Sequence, residues 1–356
     1  MNTNFANQIP SVATKLHLAP VLGEINSHLE EVNTRMRRQA AAFDPALVGY
    51  VEYVCESPGK RLRAALALLT GAATGGIRPE HVDLGTIVEL IHLASLVHDD
   101  IMDRAPTRRG RATAHAKWGP EVAVLLGDAL FAHALKLCTN YDSTHLARRI
   151  ATASTDVCQG EILQTQRQFD LNLSILDYLK IIRLKTAALF SVSSELGAHL
   201  SGCTDAVCKK MADYGELLGI AYQIYDDCLD LIGRDDAAGK TLGTDLIKGK
   251  LTLPVLLHLE RTSGERHESA RAAILHGTET ERIALICDLH HSGAFHDALA
   301  AVEKHLAQAQ TCLCVLPDSC YKKSLDSLAT VLRETVAKMV SVSEEKERLF
   351  PAVTNN

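Results

Sequence analysis

The chain has 356 residues, 47% of them hydrophobic and 22% charged, with a formal net charge of −6. That charge disfavours a nucleic acid partner, since phosphate binding needs a basic face. The longest uncharged run, Ala64 to Ile77, is shorter than the roughly 20 apolar residues a bilayer span needs, so no membrane span is expected. The first 20 residues do not read as a secretory signal, and cytoplasmic residence is expected.

Apolar residues recur with helical spacing from end to end, predicting helices near 20–40, 44–56, 60–75, 79–103, 119–141, 143–168, 174–201, 205–232, 252–261, 279–291, 295–315 and 319–348. Glycine and proline fall mostly between them, as at Pro58-Gly59, Gly75-Gly76 and Gly119-Pro120. Segments 60–75 and 186–200 are apolar on most of their circumference, which marks elements inside a bundle. The expected fold is therefore all-α: one large helical bundle around a central apolar cavity, spanning 25–348, with 1–24 a variable N-terminal segment and 349–356 a tail. The ten cysteines show no disulfide framework and read as reduced core residues; Cys312, Cys314 and Cys320 cluster without a second pair of zinc ligands.

Two helices end in the same acidic pattern. Asp99, Asp100 and Asp103 close the segment that begins near Pro79, and Asp226, Asp227 and Asp230 close the one that begins near 205. Residues one turn apart share a face, with Cβ atoms roughly 5–6 Å from each other. Like charges that close repel by about 4 kcal/mol per pair at an effective dielectric near 20, and negative charge at a helix C-terminus opposes the macrodipole as well. A cation between the clusters removes the conflict. Oxygen-only ligands point to magnesium or manganese, which leave coordination positions for phosphate oxygens. A phosphate-bearing substrate follows.

Basic residues sit where they could complete such a site: Arg108, Arg109 and Arg111 in a loop after the first cluster, Lys60, Arg61 and Arg63 at a helix start, Lys185 within "LKTAALF", and Lys240, Lys248 and Lys250 within "GKTLGTDLIKGK". Arginine forks match phosphate oxygens two at a time. Together the groups suffice for two diphosphates, one held through metal and one by side chains directly. His98, beside Asp99, reads as a hydrogen-bonding neighbour and not a proton carrier.

In order along the chain, GKRLR, IHLASLVHDDIMD, RRG, Gly127-Asp128, Gln159–Glu161, Lys185-Thr186, YQIYDDCLD and GKTLGTDLIKGKLTLP resemble the trans-isoprenyl diphosphate synthase family over about 25–340. The resemblance implies head-to-tail condensation of an allylic diphosphate with isopentenyl diphosphate by a magnesium-dependent homodimer. It assigns Asp99, Asp103, Asp226 and, in support, Asp230 to metal. Arg108, Lys185, Thr186, Gln223, Lys240 and Lys250 would contact the allylic diphosphate, and Lys60, Arg63, His92 and Arg109 the isopentenyl diphosphate. The chain departs from the family's pattern at Ser57-Pro58 and Ala64, and the C-terminal "EEKERLFPAVTNN" lacks a basic tail.

With the diphosphate at Asp99, a growing chain would run back past Ser95, Ala94, Ile91, Val88 and Ile87. Small residues at 94 and 95 leave room, so a medium- or long-chain polyprenyl diphosphate is expected, with geranylgeranyl diphosphate the main competitor. A class I terpene cyclase would need no second diphosphate site, and a non-catalytic synthase subunit would tolerate loss of the acidic clusters. Both clusters are intact.

Overall fold

The computed structural model describes residues 16, 18–232 and 243–349, with side chains of the last helix as far as 339. The helices are α1 Ala19–Leu22, α2 Asn26–Arg38, α3 Val48–Cys55, α4 Leu62–Thr74, α5 Pro79–Met102, α6 Ala114–Trp118, α7 Pro120–Cys138, α8 Thr144–Gln166, α9 Ile175–Ile182, α10 Ala188–Leu200, α11 Asp205–Ile232, α12 Thr244–Ile247, α13 Leu253–Arg261, α14 Gly264–His276, α15 Glu279–His291, α16 Ala294–Cys312 and α17 Cys320–Leu349. Helices α4, α5, α10 and α11 form the centre, because they are apolar on nearly every face; α4 buries every residue from Ala64 to Gly71. Around them pack α2, α7, α8, α16 and α17. One continuous core results, and it takes in Leu18, Val21 and Leu22 near the start of the described chain. No described helix is long and apolar enough to cross a membrane, and no disulfide joins the cysteines among the described residues.

Three departures from the sequence expectation have local causes. The segment expected as one helix over 174–201 is divided by a π-helical stretch, Arg183–Ala187, which widens one turn just where Lys185 and Thr186 lie. Helix α14 was not expected: it buries only Ala270, Ala273 and Ile274, too few for an apolar stripe. The arginine loop is a minimal hairpin, β1 Thr107–Arg108 against β2 Arg111–Ala112. Its two central residues are both left-handed, Arg109 at φ 51° and Gly110 at φ 77°, as a two-residue turn of matching twist requires.

Helices α10 and α11 approach closely through small residues. A Cβ on Gly215 would stand 2.4 Å from the Phe190 carbonyl oxygen, a backbone atom that cannot swing aside. Gly215→Ala is therefore expected to destabilise the chain by about 1–3 kcal/mol. Gly49→Ala, at an exposed position with nothing within 4 Å, should be neutral or stabilising by up to about 1 kcal/mol. Urea unfolding of the two variants beside wild type checks the contrast; equal midpoints for Gly215→Ala and wild type would contradict this packing.

Candidate active site

The C-terminal ends of α5 and α11 meet across a cavity of about 560 Å³. Five further pieces complete its wall: the turn into α4, the β1–β2 hairpin, one face of α8, the π-helical stretch, and the segment running from α12 to Lys250. Of the residues expected at a site, Lys60, Arg63, His92, Ser95, Asp99, Asp103, Arg108, Arg109, Lys185, Thr186, Gln223, Asp226 and Lys250 line this one cavity. Lys240 lies outside the described residues.

Two groups of expected residues stand elsewhere. Ala94 and Ile91 are fully buried in the core and do not form the wall; His92, Leu93, Ser95 and Leu96 do. For Ala94 the reason is helical phase: position 94 lies about 140° round the helix from Asp99, while 92, 95 and 96 lie within about 60°. Asp230 is also off the wall among the described residues. Its Oδ2 accepts the backbone N–H of Asp245 at 2.9 Å, so it anchors the start of α12 and thereby Asp245, instead of facing the cavity. His98 likewise turns away, its Nε2 3.1 Å from the Val124 carbonyl and 3.4 Å from Asp128.

Charge is interleaved in the wall. Asp103 sits between Lys250 Nζ at 2.9 Å and Lys248 Nζ at 3.1 Å; burial pushes its carboxyl up, but the two ammonium groups outweigh that and hold it below the usual range. Lys185 Nζ lies 2.6 Å from Glu161 Oε1 and donates to Gln164 Oε1 at 2.8 Å. Burial disfavours its charge, yet Glu161 and Asp99 more than offset this and keep it protonated. Gly160 permits the arrangement: a Cβ there would come within 2.4 Å of the Lys185 backbone nitrogen, so only glycine lets α8 lie so near the π turn. Arg108 Nε donates to Asp100 Oδ1 at 2.8 Å. Burial lifts the Asp100 carboxyl above its ordinary value, with Arg108 opposing. In α11, burial and the charge of Asp245 push Asp227 up to about 8.

The other side of the cavity is cationic. Arg63 stacks over the Phe190 ring at 4.9 Å, and its Nε is buried without a partner among the described residues. His92 is kept neutral by burial and then by the neighbouring charges of Arg63, Arg109 and Arg108, which push its imidazole well below the ordinary value. Arg61, also in the wall, is held by side-chain partners. It ties the turn down, donating from Nε to Asn33 Oδ1 at 2.9 Å and facing Glu89 Oε2 at 3.4 Å, while Glu89 Oε1 accepts the Ala64 N–H at the head of α4.

Lining residues that the sequence did not single out are Asp245, Glu89, Gln164, Tyr222 and Leu96. Asp245 lies within the quoted GKTLGTDLIKGKLTLP segment, but as a lone carboxylate without a second acidic residue at helical spacing it receives no role of its own from the sequence.

The donor set fits a divalent cation. Asp99 Oδ1 is buried with no partner among the described residues, an orphaned acceptor on a residue of the cavity wall. No trio of His, Cys, Asp or Glu converges on one point among the described residues. Magnesium, which takes one or two carboxylates and fills its shell with water and phosphate, needs no such trio.

Residues 44–288 match the family described as polyprenyl synthetase. The octaprenyl diphosphate synthase of Haemophilus influenzae is 34% identical over 302 residues, 85% of this chain and 92% of that one. A short chain isoprenyl diphosphate synthase of Methanothermobacter thermautotrophicus is 32% identical over 319 residues, covering 88% and 98%. The fold superimposes on the crystal structure of a polyprenyl synthase from Caulobacter crescentus, complexed with calcium and isoprenyl diphosphate, with a TM-score of 0.83 at 33% identity over 91% of this chain and 99% of that one. With its helical bundle, its paired acidic helix ends and these relatives, the chain belongs to the polyprenyl synthetase family.

Proposed function

We propose that this protein condenses isopentenyl diphosphate with an allylic diphosphate, head to tail, to give a medium- or long-chain all-trans polyprenyl diphosphate. The observation that carries the reading is the division of the cavity's cations. Lys185, Lys248, Lys250 and Arg108 each have a carboxylate partner, as suits a diphosphate bound together with metal. Lys60, Arg63 and Arg109 stand together with Arg63 Nε unpartnered, as suits a diphosphate gripped by side chains alone. A terpene cyclase has no use for the second group.

Asp99, Asp103 and Asp226 would hold magnesium or manganese, with Asp230 acting through Asp245. Bound there, the metal would supply positive charge to the departing diphosphate. Arg108, Lys185 and Lys250 add fixed positive charge on the same side, where it would stabilise negative charge developing on the leaving oxygen. The allylic carbon–oxygen bond breaks, the double bond of isopentenyl diphosphate attacks the allylic carbon, and a proton is lost from the adjacent carbon. His92, held neutral among arginines, is placed to donate to a phosphate oxygen and is a poor base. The released diphosphate is the stronger candidate for that proton. The calcium ion in the Caulobacter crescentus complex supports a divalent cation here.

A homodimer is part of the proposal, supported by exposed Val124, Leu125 and Leu135 along α7, and light scattering on the purified chain tests it. The wild-type chain, given isopentenyl diphosphate and an allylic primer, should yield a longer diphosphate and no hydrocarbon. Activity gained only with a second protein would instead favour a non-catalytic subunit. Asp99→Asn and Asp226→Asn should each lower turnover by about 10²–10³-fold with unchanged circular dichroism, and excess chelator should abolish it. Turnover that survives chelator would rule the mechanism out.

Product length depends on what lies behind the diphosphate. Ser95 is the small residue among those that α5 contributes to the cavity wall, and Leu93, Leu96, Val157 and Leu189 line the same wall. Ser95→Phe should shorten the products while preserving turnover on the first condensations, read by chromatography of the dephosphorylated products. Ala94→Phe, in the packed core, should cost stability, about 1–3 kcal/mol, before it alters length. An unchanged distribution for Ser95→Phe would mean that the chain grows along another face.

A further inference from the structure

Four side chains form one hydrogen-bonded row that runs from the cavity wall into the core behind it. The Tyr178 hydroxyl on α9 donates to Asp227 Oδ2 at 2.6 Å. Gln223 Nε2, one turn earlier than Asp227 on α11, donates to Asp227 Oδ1 at 2.8 Å. The Thr186 hydroxyl, in the π-helical stretch, donates to Gln223 Oε1 at 2.6 Å. Thr186 and Gln223 line the cavity, whereas Tyr178 is 3% exposed and does not.

The polarity of this row follows from its far end. A glutamine amide is nearly symmetrical in shape and could lie either way round; only its partners decide. Both Asp227 oxygens accept, Oδ2 from the Tyr178 hydroxyl and Oδ1 from Gln223 Nε2, so the NH2 end of Gln223 lies toward Asp227. The amide oxygen must then face Thr186, and the Thr186 hydroxyl must donate to it. Tyr178 occupies the other carboxylate oxygen and prevents Asp227 from rotating out of register. Burial, followed by the nearby Asp227 charge, pushes the phenol well above its ordinary value, so it remains a donor. The second N–H of Gln223 is left over for whatever occupies the cavity.

We propose that Tyr178 is a positioning residue for the allylic diphosphate: through Asp227 it sets the orientation of the Gln223 amide and the Thr186 hydroxyl, the uncharged pair beside Lys185. The inference rests on the function proposed above. A tyrosine that merely satisfied a buried carboxylate would affect stability and treat both substrates alike, and kinetics separates the two roles.

Full-length Tyr178→Phe, Thr186→Val and the double variant are compared with wild type in steady state, varying isopentenyl diphosphate and, separately, the fastest primer among dimethylallyl, geranyl and farnesyl diphosphates. Tyr178→Phe should raise the allylic KM about tenfold, the size of one charge-assisted hydrogen bond, and leave the isopentenyl KM within about twofold. In the Thr186→Val background the same change should add less than about twofold, because the row already ends short. Both KM values rising together, neither changing, or the two single effects multiplying would each overturn the proposal. Should Tyr178→Phe fail to fold, Asp227→Asn is read the same way: its NH2 group turns the Gln223 amide over, and a loss equal for both substrates rejects the row. A wild-type chain without elongation activity rejects the proposed function itself; an active wild type beside an unshifted Tyr178→Phe rejects only the role of Tyr178.

Discussion

Everything in this molecule depends on keeping carboxylates and cations together in a closed space without neutralising them into a dead network. Eight carboxylates line the cavity, Glu89, Asp99, Asp100, Asp103, Glu161, Asp226, Asp227 and Asp245, against eight lysines and arginines, Lys60, Arg61, Arg63, Arg108, Arg109, Lys185, Lys248 and Lys250. The near balance lets the bundle fold around them, since an unpaired buried charge would cost several kcal/mol. On the proposed function, a diphosphate entering the carboxylate-rich side would bring surplus negative charge, and an accompanying cation would restore the balance.

Within each acidic motif the aspartates divide their work by direction. Asp99, Asp100, Asp226 and Asp227 all line the cavity, but Asp100 and Asp227, one residue on and about 100° round the helix, are only 6% exposed and are engaged by neighbouring side chains. Asp100 grips Arg108, and Asp227 grips Gln223. In both helices the first carboxylate is available to the ligand and the second orders a side chain that meets it. The rigid helix end is what makes the division reliable: adjacent residues cannot exchange faces.

The bundle, the cavity and most of its charged wall were legible in the sequence because each rests on helical periodicity or on residue types that repeat at helical spacing. Leu90 to Val97 followed by two aspartates reads as a buried helix ending at a cation site without any tertiary information. What was not legible depends on how separate elements meet. Ala94 looked like a channel residue because it is small, but helical phase turns it into the core. Asp230 looked equivalent to Asp103, yet Asp103 faces Lys248 and Lys250 while Asp230 receives the amide of Asp245. The difference arises from the return of the chain at Gly243, which no local pattern announces. Tyr178 sits in an ordinary amphipathic helix, and its partner is a residue of α11 that only packing brings within reach.

Two of the places where the backbone leaves its ordinary geometry carry cations into the cavity wall. Arg109 adopts a left-handed φ of 51°, and Lys185 lies in the π-helical stretch. A non-glycine residue in that region is unfavourable by roughly 1–2 kcal/mol, and a widened turn gives up regular hydrogen-bond geometry. Both stand in the charged wall of the cavity. Each aims a charge: the tight turn folds Arg108 back onto Asp100, and the π turn moves Lys185 onto Glu161 and Gln164 across from Gly160. Strain of this kind persists only when the surrounding packing over-determines it. The central helices α5, α10 and α11 do that, which is why a bundle of this size surrounds a site of so few residues.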